Sequence, residues 1–170
     1  MKAWLRSMLA CQLLFFAGWA GLEEWRHYHS ASLLLETEGY DPRDLISGHY
    51  LQLHYPISHV EKLQGFPTPS PERPLELWVR MEPAGSVRSG MRSYNSYRAV
   101  EVRLSAPGEG AAPWAKAHWS PGVGAIYGIE RYYFSEARVG EMEGLRSGHV
   151  WVEADLSTDG QLRIVGLVKP

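Results

Sequence analysis

This sequence has almost no cysteine and only a small net charge. The 170 residues include one cysteine, Cys11, so no disulfide can form within the chain. The formal net charge is −2 and the isoelectric point is near 6.4. Nucleic-acid phosphates require clustered lysine and arginine, and this charge balance provides no such footprint. We therefore exclude nucleic acid as a partner.

Signals for nucleophilic catalysis are also missing. Lysine is rare beyond the N-terminal segment, where Lys62, Lys116 and Lys169 are the only three. None of them lies in a serine–lysine dyad motif, and the sequence has no Gly-x-Ser-x-Gly elbow. The seven histidines have no metal-ligand spacing, so we expect neither a metal nor a cofactor. With 45% apolar residues, the chain still has enough for one folded domain.

The N-terminus carries an apolar run over residues 8–22, in which Gln12 is the only polar residue. Two basic residues precede the run and two acidic residues follow it. Counted from Ala3, the run reaches about 20 residues, which as a helix spans roughly 30 Å of bilayer core. We expect a transmembrane signal anchor, with the N-terminus in the cytoplasm because the positive charges precede the run.

A cleaved signal peptide is the competing interpretation of this run. Gly18-Trp19-Ala20 places small residues at the positions that precede a cleavage site. Trp19 and Trp25 favour retention instead, since indole rings settle at the membrane interface. Cys11 lacks a good lipobox, so we do not expect acylation. In either case the remainder of the chain would lie outside the cytoplasm, at the inner membrane or in the periplasm.

Beyond residue 28 the pattern changes to period two, which is typical of strands. We therefore divide the chain into an N-terminal segment, 1–28, and a domain, 29–170, with a proline-rich loop at 61–74. The predicted class is α+β, mainly antiparallel β, with one transmembrane helix followed by one β-rich extracytoplasmic domain. The predicted strands cover residues 32–37, 48–57, 75–80 and 97–104 and a C-terminal hairpin, 149–156 and 161–168, around an Asp-Gly turn. Residues 83–95 and 105–124 are expected as loose connections.

Two motifs resemble those of a known family. Residues 48–55, Gly-His-Tyr-Leu-Gln-Leu-His-Tyr, follow an Asp-Pro-Arg-Asp turn and resemble the name-giving motif of the GDYXXLXY family, with His49 in place of its Asp. Residues 127–136, Tyr-Gly-Ile-Glu-Arg-Tyr-Tyr-Phe-Ser-Glu, followed by Gly-Glu-Met-Glu, resemble its second motif. The resemblance implies a membrane-tethered extracytoplasmic domain of uncharacterised function. It also implies that a multi-spanning membrane protein is a partner, besides the lipid bilayer.

The candidate motif or binding residues are Arg43, Gly48, His49, Tyr50, Leu53, Tyr55, Tyr127, Gly128, Glu130, Tyr133, Phe134 and Glu136. We expect an accessory or interaction protein. The alternative is a cell-envelope hydrolase-like enzyme that uses the Glu130 and Glu136 carboxylates as general acid and base. A carboxylate at Glu130 would need a partner if buried, and Arg43 and Arg131 are the candidates. His49 argues against a strictly catalytic role for its position.

Overall fold

The computed structural model describes residues 2–28, 30–38, 40–41, 50–68, 70–108, 113–138 and 150–169. The chain divides into two compact units, Met1–Ser30 and Ala31–Pro170. The first unit is a helix and the second is a β domain that contains both motifs.

The first unit consists of the helix α1, Lys2–Tyr28. Large apolar side chains along it are exposed, among them Leu14, Phe15 and Trp19. Over the described residues, the structure has no helix that is both long enough and apolar enough to cross a membrane. The predicted transmembrane helix is therefore wrong. The apolar run is interrupted at Gln12, and Arg6 before it and Glu23 and Glu24 after it leave it shorter than the about 20 residues that a membrane-spanning helix needs.

The second unit is mainly β, so the predicted α+β class is wrong while its β-rich character is confirmed. In its described part the helical segments are three short 3-10 turns, Pro56–Ser58, Val60–Lys62 and Glu136–Arg138. The strands are β1 Ala31–Glu36, β2 Tyr40–Asp41, β3 Tyr50–Leu53, β4 Leu75–Ser89, β5 Arg92–Arg103, β6 Trp114–Ser120, β7 Gly124–Ile126, β8 Arg131–Tyr133, β9 Trp151–Leu156 and β10 Leu162–Val168.

These strands form two sheets. The larger has the order β10-β9-β1-β5-β4-β6-β7, and the smaller has the order β2-β3-β8. Neighbouring strands are antiparallel except β1 and β5, which pair in parallel at Leu34–Ser96 and Leu35–Tyr97. Strands β9 and β10 form the predicted C-terminal hairpin, which is confirmed.

One continuous core lies between the sheets. Alternate residues of the large sheet enter it, such as Leu77 and Val79 of β4 and Val152 of β9. Leu51 and Leu53 of β3 enter it from the small sheet. Period-two burial of this kind makes each strand amphipathic, and removing these apolar surfaces from water stabilises the packing of the two sheets.

The large sheet curls so that its two ends approach each other. The turn between β9 and β10 contains Gly160, whose carbonyl accepts a hydrogen bond from the Lys116 backbone N–H of β6 at 2.7 Å. A side chain on Gly160 would overlap the Trp78 ring, and its φ of +82° also favours glycine. The Asp-Gly sequence therefore serves both the hairpin turn and the closure of the sheet.

Two expectations about connections are wrong. Residues 83–95 are not a loose link, because β4 and β5 continue through them as a long hairpin with cross-strand pairs such as Val87–Tyr94. Residues 105–124 contain β6, in which Ala115, Ala117 and Trp119 alternate as buried residues. Glycine, serine and alanine have weak strand propensity, and tertiary pairing overrides it in both segments.

Gly65 marks a close backbone approach under the proline-rich segment. The Val102 N–H donates to the Gln64 carbonyl at 2.8 Å, which holds residue 65 against β5. A Cβ at Gly65 would overlap the Val102 carbonyl oxygen, and φ is +87°. Gly122 has a similar φ of +74°, but a Cβ added there would meet no atom within 4 Å. Comparing substitutions at Gly65 and Gly122 therefore distinguishes the cost of steric overlap from the cost of backbone strain.

We predict that Gly65→Ala destabilises the β domain more than Gly122→Ala does. Both substitutions force alanine into a positive φ at about 1–3 kcal/mol, and the overlap at Gly65 adds about 1–3 kcal/mol. Urea unfolding monitored by tryptophan fluorescence measures the difference in the free energy of unfolding. Equal losses in the two variants would contradict the close approach.

Candidate functional site

The two motifs pair with each other as strands of the small sheet. β3 carries the first motif and β8 the second, in the antiparallel register Tyr50–Tyr133, Leu51–Tyr132 and Gln52–Arg131. Leu51, Leu53 and Tyr55 are buried, as the alternation predicts. Segments 127–136 and 50–55 are therefore one structural unit, although more than 70 residues of sequence lie between them.

Two buried tyrosines connect this unit by reciprocal hydrogen bonds. The Tyr55 hydroxyl donates to the Ile129 carbonyl at 2.8 Å, and the Tyr127 hydroxyl donates to the Ile57 carbonyl at 2.6 Å. Each motif thus supplies one donor hydroxyl. The acceptor for Tyr55 lies within the second motif, and the acceptor for Tyr127 lies two residues after the first motif. Both rings are buried, so both hydroxyls need a partner inside the protein.

Burial raises the pKa of Tyr55 and of Tyr127 well above the ordinary value of 10.0, and the negative charge of Glu130 raises both further. Loss of a phenolic proton would leave a buried anion near that carboxylate. Both hydroxyls therefore remain hydrogen-bond donors throughout the neutral range.

Glu130 organises the turn that begins the second motif. Its Oε1 accepts the Tyr127 backbone N–H at 2.6 Å and its Oε2 accepts the Gly128 N–H at 2.9 Å. Gly128 has a φ of +84°, which the turn requires and glycine adopts without strain. Among the described residues, the hydrogen-bond partners of this carboxylate are backbone N–H groups of its own turn. Arg131 instead lies over the Tyr50 ring, 5.5 Å from its centroid.

An open cleft of about 710 Å³ lies beside the two motifs, within the size range of ligand sites. Glu130, Arg131 and Tyr133 line one part of it, and Gln52, His54 and Ser58 are also among its lining residues. Val123 and Ile126, from β7 and the turn before it, add exposed apolar surface. The Tyr133 ring is 66% exposed and contacts the Tyr50 ring at 5.7 Å between centroids.

A histidine–carboxylate pair also lines the cleft. His59 Nε2 lies 3.3 Å from Glu38 Oε2, and the Glu38 backbone N–H donates to the His54 carbonyl at 2.8 Å. Both side chains are exposed, so solvent weakens their attraction. Among the described residues no three histidine, cysteine, aspartate or glutamate side chains gather into a group that could hold a metal ion.

Several predicted site residues cannot be compared with the structure. Arg43, Gly48 and His49 lie outside the described residues, as does the side chain of Glu136, whose backbone begins the last 3-10 turn. Phe134 is half-buried and packs against the core. The structure therefore brings Tyr50, Leu53, Tyr55, Tyr127, Gly128, Glu130 and Tyr133 to the cleft or its supporting unit. The catalytic role of the two glutamates stays a prediction.

Sequence reasoning missed the β7 side of the cleft and Glu38. Val123 and Ile126 flank Gly124, whose φ of +90° and close approach to the Ser58 carbonyl oxygen fix this side. The Gly-Val-Gly sequence at 122–124 was the available signal for a turn. Nothing in the period-two pattern indicates that this turn faces the first motif.

The second unit is thus a small, mainly β domain whose cleft is supported by two tyrosine-bearing motifs. The family model described as GDYXXLXY protein matches residues 12–167, nearly the whole chain. The chain belongs to this family, and the resemblance drawn from the two motifs is confirmed. No curated protein and no solved structure matches it.

Tyr127→Phe is predicted to lower the free energy of unfolding by about 1–3 kcal/mol at neutral pH, because the buried Ile57 carbonyl loses its donor. Tyr55→Phe is expected to act similarly through Ile129. The exposed Tyr133→Phe is the matched control and should change stability little. Guanidinium unfolding measures all three, and an unchanged midpoint for the two buried variants would show that these bonds are not stabilising.

The same tyrosines predict an alkaline loss of stability. Because their pKa is higher in the folded than in the unfolded chain, their contribution is complete below pH 10 and is lost as the pH rises beyond it. The unfolded chain then releases protons that the folded chain keeps. Each tyrosine lowers the free energy of unfolding by about 1.4 kcal/mol per pH unit in that range. The free energy of unfolding, measured by denaturant titration at several pH values above 10, should fall less steeply with pH for each Phe variant than for the wild type.

Glu130→Gln is predicted to destabilise the domain by about 1–3 kcal/mol, because an amide replaces one acceptor oxygen with a donor that faces a backbone N–H. Glu72→Gln, an exposed loop substitution, is the control for loss of one negative charge. Thermal unfolding followed by circular dichroism compares the two. Identical melting of Glu130→Gln and wild type would remove the structural role of this carboxylate.

Proposed function

We propose that this protein is a non-enzymatic accessory module that binds a multi-spanning membrane protein through the cleft beside β7 and β8. The observation that carries the proposal is that the polar groups of the motifs are hydrogen-bonded within the protein, whereas apolar side chains at the cleft are exposed. The tyrosine hydroxyls of Tyr55 and Tyr127 and both carboxylate oxygens of Glu130 are engaged within the protein. Apolar and aromatic side chains at the same cleft are exposed instead.

Exposed aromatic and aliphatic groups beside a concave surface are the usual anchors of protein recognition. Tyr133, Val123 and Ile126 provide such groups here, and Arg131 lies next to them. Burial of these three side chains by a partner would remove apolar area from water without breaking the hydrogen bonds that hold the motifs together. The cleft can thus bind a segment of another protein while its framework stays unchanged.

The class of partner comes from the family resemblance, which implies a neighbouring multi-spanning membrane protein. The proposal places the β domain on the outer side of the cytoplasmic membrane, where that partner exposes its loops. Fractionation of cells and protease protection of the β domain test this location separately from partner binding.

Tyr133→Ala is predicted to weaken co-purification of the membrane partner at least about tenfold, since loss of a central aromatic anchor costs about 1.4 kcal/mol or more. Leu104→Ala is the matched control, because Leu104 is 60% exposed and does not line the cleft. The assay is affinity purification from native membranes with quantitative mass spectrometry.

A photo-crosslinking residue at Ile126 should give an adduct with the same multi-spanning protein, whereas one at the exposed Val165 of β10 should not. Recovery of no integral membrane protein would sink the proposal. So would equal loss in the Tyr133→Ala and Leu104→Ala variants, or equal adducts from both crosslinking positions.

A further inference from the structure

The hairpin of β4 and β5 is longer than its two neighbouring strands, β6 and β1, and extends beyond both. β6 pairs with β4 at Leu75–Arg80, and β1 pairs with β5 at residues 96–97. Residues 83–95 lie past both pairings and form a two-stranded arm, held internally by cross-strand pairs up to Ser89–Arg92. The Ser89 hydroxyl also donates to the Lys169 carbonyl, so the end of the described chain supports the arm.

The arm is basic in a chain whose net charge is −2. Residues 83–100 contain Arg88, Arg92 and Arg98 and no aspartate or glutamate. Arg98 lies at the base, opposite Glu82, whereas Arg88 and Arg92 lie near the tip. Both are exposed, and neither forms an ion pair with any residue that the structure describes.

Arginines elsewhere on the sheet are arranged differently. Arg80 lies 3.0 Å from carboxylate oxygens of Glu82 and of Glu101, and Arg103 lies 2.9 Å from Glu101. Their carboxylate partners lie on β4 and β5 themselves, and these guanidinium groups are thereby neutralised. The two at the arm tip lack this compensation among the described residues, so their positive field is directed to solvent.

The register places the two tip arginines on opposite faces of the arm. Arg92 pairs with Ser89, and Arg88 pairs with Ser93, the adjacent position. Neighbouring residues of a strand point to opposite faces, and directly paired residues share a face. Met91 occupies the turn between the strands and is fully exposed. The tip therefore presents one apolar side chain with a guanidinium group on either side.

We propose that the arm docks tip-first onto a lipid surface that carries anionic phosphate headgroups. Guanidinium groups bind phosphate oxygens through paired N–H donors, and a lipid surface offers phosphates on both sides of the tip at once. Met91 would enter the headgroup boundary between them. Strand addition to a protein would instead use the backbone edge of the arm, and would not use the three exposed side chains at its tip.

This docking uses residues distant in sequence from the cleft and is independent of the proposed partner binding. It orients the β domain with the β4–β5 turn toward the headgroups. The interaction is electrostatic, so added salt weakens it through screening.

The test is co-sedimentation of the full chain with two kinds of vesicle, phosphatidylcholine alone and equal parts of phosphatidylcholine and phosphatidylglycerol. The quantity measured is the ratio of the two partition coefficients, which cancels charge-independent binding by other surfaces. Arg88→Gln combined with Arg92→Gln should lower this ratio about 30-fold, from about 1 kcal/mol for each arginine near an anionic surface. Lys62→Gln combined with Arg73→Gln removes the same charge at exposed positions outside the arm and should leave the ratio unchanged.

A second measurement reports on the tip itself. In a Cys11→Ser background, an environment-sensitive dye attached to the thiol of Met91→Cys should shift to shorter wavelength with anionic vesicles and return when salt is added. The same dye on Val165→Cys should not shift. Circular dichroism establishes that each variant is folded.

A wild-type ratio near one would overturn the proposal, as would equal losses in the two double variants or an unshifted dye at the tip. Arm-dependent binding to immobilised polyglutamate without preference for anionic vesicles would also overturn it, in favour of an acidic protein surface.

Discussion

The reciprocal hydrogen bonds of Tyr55 and Tyr127 are the constraint on which the candidate site depends. Each phenol lies in the core and donates to a backbone carbonyl in the other tyrosine's motif, Ile129, or just after it, Ile57. A buried carbonyl without a donor costs more than an ordinary hydrogen bond contributes, so neither bond can be lost without disturbing both segments. They hold the 3-10 turn after β3 against the turn before β8, and the cleft opens beside that junction.

Glycine and carboxylate positions complete this framework, either by allowing a turn or by allowing two segments to approach closely. Gly128 adopts the positive φ that lets Glu130 accept two successive N–H groups, and Gly124 lets β7 approach Ser58. At the far side of the sheet, Gly160 allows the hairpin turn to reach β6. Tyr133, Val123 and Ile126 stay exposed beside these backbone contacts.

The arginines of the β domain include two kinds, those paired with carboxylates on the sheet and those exposed on the arm. On the body of the sheet, arginines such as Arg80 are neutralised by carboxylates on neighbouring strands. On the arm, where neighbouring strands end, Arg88 and Arg92 have no such partner among the described residues. Residues 83–95 of the hairpin contain no aspartate or glutamate, so the arm leaves these two charges available to other molecules.

Local sequence was enough to predict β1, β3 and the C-terminal hairpin, and two motifs were enough to identify the family. Alternation of Leu51, Leu53 and Tyr55 and the Asp159-Gly160 turn act over a few residues, so one segment specifies them. The apolar N-terminal run was overestimated for the same reason, since local hydropathy alone suggested a membrane span. β6, the arm, the backbone partners of Glu130 and the pairing of Tyr55 with Ile129 were decided by tertiary structure. They depend on contacts between segments distant in the chain, and no spacing within a single segment encodes which carbonyl or N–H will lie opposite a given side chain.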